Sequence, residues 1–312
     1  MRIFFATDVH GSEVCWKKFL NAGAHYKADV VILGGDMTGK ALVPIVDEGD
    51  GRWHATLLEN REELVGEDRV VAFEEAVMRR GYYPFRTTED EVRELAADES
   101  KWHALFDQHM TGTVERWMQM ADERLRGTGI RCFVCPGNDD EMEVDDVIRR
   151  SDLVELGEGR LVEIDGWTMI STGWSNHTPW NTHREETEEA LGDRIEAMAK
   201  QVPDASRAIF NLHCPPYKSG LDEAPAIDAD LKLLHGGRAL RPVGSTAVRS
   251  AIEKHQPLLS LHGHIHESKG AIKIGKTLSI NPGSSYEEGM LMGAIIQLDP
   301  KKGIKSYQLV NG

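Results

Sequence analysis

The chain has 312 residues, of which 28% are charged, and its formal net charge at pH 7 is −15. This acidic excess argues against binding to a nucleic-acid backbone, which requires clustered lysine and arginine. The apolar runs last about six residues, whereas a membrane-spanning helix needs ~20, so we expect an enzyme with no membrane partner.

Alternating strand and helix signals predict a layered α/β fold. In chain order, the predicted elements are a strand at 1–7, a helix at 12–25, strands at 29–34 and 130–135, a short helix, strands at 161–164 and 167–172, a helix at 185–200, a strand at 207–212, a helix near 245–255 and several strands to the C-terminus. Thr182 with Glu185 has the pattern of a capping box for the helix that follows it. Asp8 interrupts the first strand before any signal-peptide core is complete, so we expect a cytoplasmic protein.

The strand–helix pattern breaks between residues 40 and 126. Thr88-Glu89-Asp90-Glu91 has the pattern of a capping box, and apolar residues between 102 and 125 recur mostly at steps of three and four, as in an amphipathic helix. We therefore expect one domain over residues 1–312, with a helical insertion at 40–126. Because this connection begins just after Asp36, the insertion is either a cap that selects substrates, which we favour, or a solvated appendage.

Five polar clusters directly follow five predicted strands. They are Asp8-Val9-His10, Gly35-Asp36, Gly137-Asn138-Asp139, His213 and Gly263-His264-Ile265-His266. A single motif of this kind is weak, since Gly-Asp is a common turn dipeptide. However, open α/β sheets place ligand sites beyond the carboxyl ends of their strands, so five such clusters are expected to meet. Their oxygen and imidazole groups suit Mn²⁺, Fe²⁺ or Zn²⁺, and such a set can hold two divalent ions a few Å apart for phosphoester hydrolysis.

The order Asp-x-His, Gly-Asp, Gly-Asn, His, Gly-His-x-His resembles the calcineurin-like metallophosphoesterases over residues 8–266. The stretch from His213-Cys214-Pro215-Pro216 to Glu267-Ser268 is similar to a bacterial and archaeal subgroup of predicted phosphoesterases related to cyclic-nucleotide phosphodiesterases. Asn281-Pro282-Gly283-Ser284 also fits the family. The resemblance implies a two-sheet β-sandwich flanked by helices, and a metal-dependent phosphoric ester hydrolase that favours diesters over monoesters. The alternatives are a phosphomonoesterase or protein phosphatase, and a scaffold relative with weak or lost catalysis.

The resemblance also implies the metal ligands. One ion would be held by Asp8, His10, Asp36 and His266, and the other by Asp36, Asn138, His213 and His264. The expected ions are Mn²⁺, with Fe, Zn, Ni or Mg as alternatives. A water that bridges two such ions loses its proton near neutral pH and would attack a small phosphoester substrate.

The catalytic candidates are Asn138, Asp139 and His177. Many family members have a histidine at the position of Asp139, where it is assigned to protonating the leaving oxygen or stabilising phosphate. An aspartate with an ordinary pKa of ~4 is a poor proton donor at neutral pH. Three possibilities stay open: the pKa of Asp139 is raised, another group replaces it, or the enzyme favours leaving groups that need little protonation. His177 and His183, in the polar and aromatic loop after the strand at 167–172, are the candidate replacements.

Overall fold

The structure is a computed structural model that describes residues 1–228 and 230–312, with the backbone alone at His235. The strands in these ranges are β1 (Arg2–Ala6), β2 (Val30–Leu33), β3 (Leu42–Gly49), β4 (Arg52–Leu57), β5 (Asn60–Val65), β6 (Tyr83–Thr88), β7 (Arg131–Val134), β8 (Val154–Leu156), β9 (Arg160–Ile164), β10 (Trp167–Thr172), β11 (Ser175–Asn176), β12 (Glu185–Glu186), β13 (Ala208–Leu212), β14 (Glu223–Pro225), β15 (Leu240–Pro242), β16 (Leu259–Leu261), β17 (Gly270–Ile274), β18 (Thr277–Asn281), β19 (Met292–Asp299) and β20 (Gly303–Asn311). The α-helices are α1 (Glu13–His25), α2 (Glu67–Arg79), α3 (Glu89–Ala97), α4 (Glu99–Leu125), α5 (Glu143–Ile148), α6 (Glu188–Ala199) and α7 (Thr246–His255).

Two six-stranded sheets form the centre of the molecule. The first has the order β20-β19-β1-β2-β7-β8, and the second has the order β17-β18-β16-β13-β10-β9. The strands β1, β2 and β7 are parallel, as are β10, β13, β16 and β18. Such strands are buried on both faces, which explains continuous apolar runs such as Val30–Leu33. The expected two-sheet sandwich is therefore confirmed.

A core of apolar side chains lies between the two sheets. Phe5 and Ile32 of the first sheet belong to the same buried cluster as Met169, Ile209 and Leu259 of the second. Because both sheets contribute to one core, the carboxyl ends of their parallel strands are held at a fixed separation. That arrangement positions the loops described below.

Helices cover the outer faces of both sheets. Side chains of α1 and α4 pack on the first sheet, and those of α6 and α7 pack on the second. The predicted amphipathic helix is confirmed as α4, whose Met110, Val114 and Trp117 are buried. Trp117 stacks on Trp16 of α1, with ring centroids 4.9 Å apart and an interplanar angle of 5°. The helix is thus part of the core between the first sheet and its helices. None of the helices in the described ranges combines the length and the apolar content needed to traverse a bilayer.

The segment before α4 contains more than the expected helices. Strands β5, β4, β3 and β6 form a separate four-stranded sheet, and α2 packs on it through a small core of its own. The predicted capping box of Thr88 and Glu91 is confirmed at the start of α3. Gly81, just before β6, lies so close to the loop after β1 that an added Cβ would be 1.8 Å from the His10 carbonyl oxygen. The segment therefore supports that loop from behind.

The capping box predicted for Thr182 and Glu185 is wrong. Helix α6 begins at Glu188, and its N-cap is Thr187, whose side chain accepts a hydrogen bond from the Ala190 amide. Glu185 instead starts β12, which pairs with β11. The Thr182 amide does donate to the Glu185 carboxylate at 2.9 Å, but this contact closes a loop and does not begin a helix.

Candidate metal centre

The seven predicted ligands meet at one end of the two sheets. Asp8 and His10 follow β1, Asp36 follows β2 and Asn138 follows β7, all in the first sheet; His213 follows β13, and His264 and His266 follow β16, in the second. The three carboxylate and amide residues and two of the histidines are almost wholly buried: Asp8 and His10 are each 1% exposed, and His213 is 0% exposed. Two sheets that share one core thus deliver oxygen and nitrogen donors to one place.

The first cluster consists of Asp8, His10 and His266. One donor atom of each residue lies within 4.8 Å of the others. His266 Nε2 is 3.4 Å from Asp8 Oδ1, and it is 3.1 Å from His10 Nε2. Ring nitrogens that face each other over a carboxylate are suited to hold one cation between them.

The second cluster consists of Asp36, His213 and His264, and its donor atoms also lie within 4.8 Å of one another. His213 Nε2 is 3.3 Å from Asp36 Oδ2 and 3.1 Å from Asn138 Oδ1. Asp36 Oδ2 also lies 3.6 Å from His10 Nε2 of the first cluster. The Asp36 carboxylate is therefore between the clusters, where a ligand shared by two ions would lie.

The charges of these groups fit cation binding. Burial opposes ionisation of Asp8, but its hydrogen bond with His266 and the positive charge of His213 lower the pKa of Asp8 below its ordinary value. Burial and the charge of His213 lower the pKa of His264 to about 4, so its ring is neutral at pH 7. Against burial, Asp36 raises the pKa of His213 to about 9. A cation at this position would displace the proton of His213, because imidazole binds metal through a free lone pair.

Four of the predicted ligands have a left-handed backbone conformation. The φ angles are 52° at Asp8, 39° at His10, 47° at Asp36 and 67° at His264. This region is costly for residues other than glycine, and such residues cluster at functional sites. The Asp8 amide donates to the Gly35 carbonyl oxygen at 3.0 Å, and this bond helps to hold the strained loop.

Two glycines of the motifs are needed because other ligands approach them closely. A Cβ at Gly35, where φ is +143°, would lie 2.0 Å from His213 Nδ1. A Cβ at Gly263 would lie 2.4 Å from Asp8 Oδ2. These motif glycines therefore admit the side chain of a ligand from a different strand.

Asp140 is a buried supporting residue that the sequence reasoning missed. Its carboxylate accepts hydrogen bonds from the Met37 amide at 3.0 Å, the Thr38 hydroxyl at 2.6 Å and the Gly137 amide at 2.7 Å. It thereby ties the loop after β2 to the loop after β7. Arg184, which is 1% exposed, donates to the Asp140 carbonyl oxygen at 2.8 Å.

The Asn281-Pro282-Gly283-Ser284 turn also supports the centre. Asn281 Nδ2 donates to the Ile265 carbonyl oxygen at 3.0 Å, between His264 and His266. Ser284 Oγ donates to the Asp8 carbonyl oxygen at 2.6 Å. The turn noted in the sequence therefore holds the loops that carry ligands from the first and fifth motifs.

The catalytic candidates lie at different places around the centre. Asn138 Nδ2 donates to Thr182 Oγ1 at 2.8 Å, which directs its Oδ1 towards His213. The Asp139 amide donates to Asp36 Oδ1 at 3.0 Å, and its carboxylate Oδ2 is 3.7 Å from His10 Nδ1. Asp139 Oδ2 also forms an ion pair with Lys40 Nζ at 2.9 Å. Lys40 had not been singled out from the sequence.

The two loop histidines lie further out. The His177 side chain is 59% exposed, with Nδ1 3.6 Å from Glu185 Oε2. The His183 side chain is 50% exposed, with Nε2 3.7 Å from Glu141 Oε1. Both line the cavity but lie against carboxylates of the surrounding loops, so the structure does not bring them into either cluster.

A cavity of about 1010 Å³ opens above the two clusters. Ligands including Asp36, Asn138 and His264 form its floor. The walls carry larger groups, among them Lys40, Phe106, Trp180, Tyr217 and Arg241. The cavity is therefore large enough for an organic ligand, and it combines positive charge with aromatic surface.

Comparison with known proteins extends these findings. No family model matches the chain. An uncharacterized protein of Methanocaldococcus jannaschii is 34% identical over 151 residues, which cover 47% of this chain and 61% of that protein, less than two thirds of its length. The protein in one crystal structure superposes on this chain with a TM-score of 0.58 and 15% sequence identity, and the match covers 99% of this chain and 98% of that protein's chain. A protein from Thermus thermophilus superposes with a TM-score of 0.52 and 15% sequence identity, and the match covers 100% of this chain and 97% of that protein's chain.

The fold class follows from these findings together. The two sheets, the flanking helices and the whole-chain likeness to solved structures agree with the architecture that the motif order implied. The chain therefore has the two-sheet, layered α/β fold that the resemblance to calcineurin-like metallophosphoesterases implied.

Proposed function

We propose that this chain is a dinuclear metal-dependent phosphoesterase. The observation that carries this proposal is the convergence of two donor clusters, from both sheets, with Asp36 between them. Two bound divalent ions would supply Lewis-acid activation of water and of the phosphoryl group. Asp8, His10 and His266 would hold one ion, Asn138, His213 and His264 the other, and Asp36 both.

The chain's own residues account for the arrangement of these donors. Asp140 and Arg184 fix the loops after β2 and β7, and Asn281 fixes the loop after β16. Thr182 orients the Asn138 amide so that its oxygen faces the cluster. Side chains that are held in this way need little reorganisation when substrate binds, which is the main way in which a protein assists phosphoryl transfer.

The proposal includes phosphodiesters as the preferred substrates. The cavity extends from the clusters to Trp180, Tyr217 and Arg241, which leaves room for an organic group on each side of a phosphate. We also propose Mn²⁺ as the working ion, small phosphoesters as the ligands, a cytoplasmic location, and a single domain over 1–312 with 40–126 inserted. The charge of −15 supports small ligands over nucleic-acid backbones.

The test is a screen of metal-reconstituted protein. Protein stripped of metal is loaded with Mn²⁺, Fe²⁺, Zn²⁺, Ni²⁺ or Mg²⁺ and assayed on a bis-aryl phosphate, an aryl phosphate, cyclic nucleotides and nucleotide esters. We expect hydrolysis that requires metal, is fastest on the diester, and is lost in Asp36→Asn. Faster hydrolysis of the monoester would favour a phosphomonoesterase. Protein that binds about two ions per chain and hydrolyses none of the substrates would favour the scaffold alternative.

A further inference from the structure

We propose that Lys40 binds the non-bridging phosphoryl oxygens of the substrate, and that Asp139 is the positioning residue that holds Lys40 over the metal centre. This inference rests on the proposed function, because it assigns a further residue to the same site. It starts from the ion pair between Lys40 Nζ and Asp139 Oδ2, which are 2.9 Å apart at the edge of the clusters.

The position of Lys40 is set by both of the loops that it joins. Lys40 follows the Asp36 loop, and the amide of the preceding Gly39 donates to the Tyr83 hydroxyl at 2.6 Å. Asp139 is fixed from the other side, because its amide donates to Asp36 Oδ1 at 3.0 Å. The ammonium group is therefore held by a carboxylate whose own backbone is bonded to the ligand between the clusters.

The pair faces the cavity and not the interior. The side chain of Lys40 is 47% exposed and that of Asp139 is 20% exposed, and both residues line the cavity with His10 and Asn138. A half-exposed ion pair contributes little to stability, because solvent screens it and ordering its long side chain costs entropy. The stability of the fold therefore does not explain a lysine at this place. A phosphoryl group bound at the clusters does explain it, because that group would bring negative charge beside the Lys40 ammonium.

The carboxylate explains why the ammonium stays there. A lysine side chain is flexible and strongly hydrated, so an unrestrained one spends much of its time in solvent. Asp139 offers a fixed acceptor 3.7 Å from His10 Nδ1, which keeps the ammonium at the mouth of the first cluster. A phosphoryl oxygen could then share the ammonium, which has three donor hydrogens.

The experiment compares four proteins: wild type, Lys40→Met, Asp139→Asn and the double variant. Lys40→Arg tests rescue by another cation. Lys17→Met is the matched control, because Lys17 is 42% exposed, is paired with Glu13 at 2.5 Å on α1, and is not among the residues that line the cavity. Each protein is loaded with Mn²⁺, and its metal content, melting temperature, affinity for inorganic phosphate and turnover of a bis-aryl phosphate are measured.

We expect Lys40→Met to retain the metal content of the wild type and a melting temperature within about 2 °C of it. Its kcat/KM should fall by about 10²-fold, as for other removed transition-state contacts, and its affinity for phosphate should fall about 10-fold. Lys40→Arg should recover most of both losses, and Lys17→Met should show neither. Asp139→Asn should weaken activity in the wild-type background but have no further effect on Lys40→Met, because a residue that acts only through Lys40 loses its effect when Lys40 is absent.

Two results would overturn the inference. If Lys40→Met binds phosphate and turns over substrate like the wild type, Lys40 has no part in the site. If Asp139→Asn lowers activity equally with and without Lys40, Asp139 acts on its own. Both results presuppose an active wild type. An inactive wild type contradicts the proposed function, and the phosphate affinities then decide on Lys40 by themselves.

Discussion

Replacing Gly35 by alanine should weaken metal binding although none of the proposed ligand residues is replaced. The new Cβ would lie 2.0 Å from His213 Nδ1, whereas ordinary contact begins at 3.4 Å. The ring and the loop would have to separate by about 1.4 Å, and the φ of +143° would be strained for alanine. Overpacking costs about 1–3 kcal/mol, and the backbone strain costs a similar amount. We therefore expect a loss of about 2–6 kcal/mol in the free energy of unfolding.

The effect on metal should be separable from the effect on stability. His213 is buried against Asp36 and Asn138, so moving its ring disturbs the second cluster directly. We expect metal affinity to fall by at least the ~10–100-fold that is typical when a group orienting a ligand is lost. The measurements are urea denaturation of the metal-free protein and metal titration of the folded protein at low temperature.

The control is Gly127→Ala, because Gly127 has a φ of +75° with nothing within 4 Å of an added Cβ. It should lose about 1 kcal/mol from backbone strain alone and bind metal like the wild type. If Gly35→Ala kept its metal affinity, His213 would not need its present position, and the proposed second ion would lose its support.

Three further predictions test other parts of the structure. Asp36→Asn should lower metal content well below about two ions per chain, as measured by elemental analysis; unchanged metal content would remove Asp36 from the centre. Residues 52–65 can be excised by joining Gly51 to Gly66, because the Gly51 carbonyl oxygen and the Gly66 amide nitrogen are 2.9 Å apart. Metal content and substrate preference should stay unchanged, since this hairpin contributes none of the described residues that line the cavity. Altered preference between bulky and small esters would instead support a cap. Trp117→Ala should lower the free energy of unfolding, measured by urea denaturation, by about 3–5 kcal/mol. Trp180→Ala should lower it by about 0.5 kcal/mol or less, because Trp180 is 64% exposed. Equal losses would contradict the packing of α4.

Local sequence signals were sufficient for much of the fold. The strand predicted at 167–172 is β10 without any shift, and the helix predicted at 12–25 is α1, which begins one residue later. The signals that predicted both elements, a periodic pattern or a run of apolar residues, lie within the element itself. The five polar clusters could also be placed together, because a strand's carboxyl end fixes where the next residues lie.

The remaining features depend on contacts between distant segments. The sheet of β3 to β6 pairs β3 in parallel with β6 across α2, and nothing in the local pattern of residues 42–88 specified that pairing. Lys40 resembles any loop lysine until the fold places Asp139 beside it. Arg184 is charged, yet it is 1% exposed because two carbonyl oxygens and the Asp145 carboxylate accept hydrogen bonds from its guanidinium.

The distribution of the ligands along the chain has a consequence for biosynthesis. Each cluster takes one histidine from the loop after β16, and the His264 amide donates to Asp8, 256 residues earlier. A chain still emerging from the ribosome would therefore lack a complete second cluster until synthesis had passed His264, and a complete first cluster until it had passed His266. Contacts of such long sequence separation form late in folding. A divalent ion would thus be captured only after both sheets had been synthesised as far as His266, and its uptake would report that the two sheets had closed on each other.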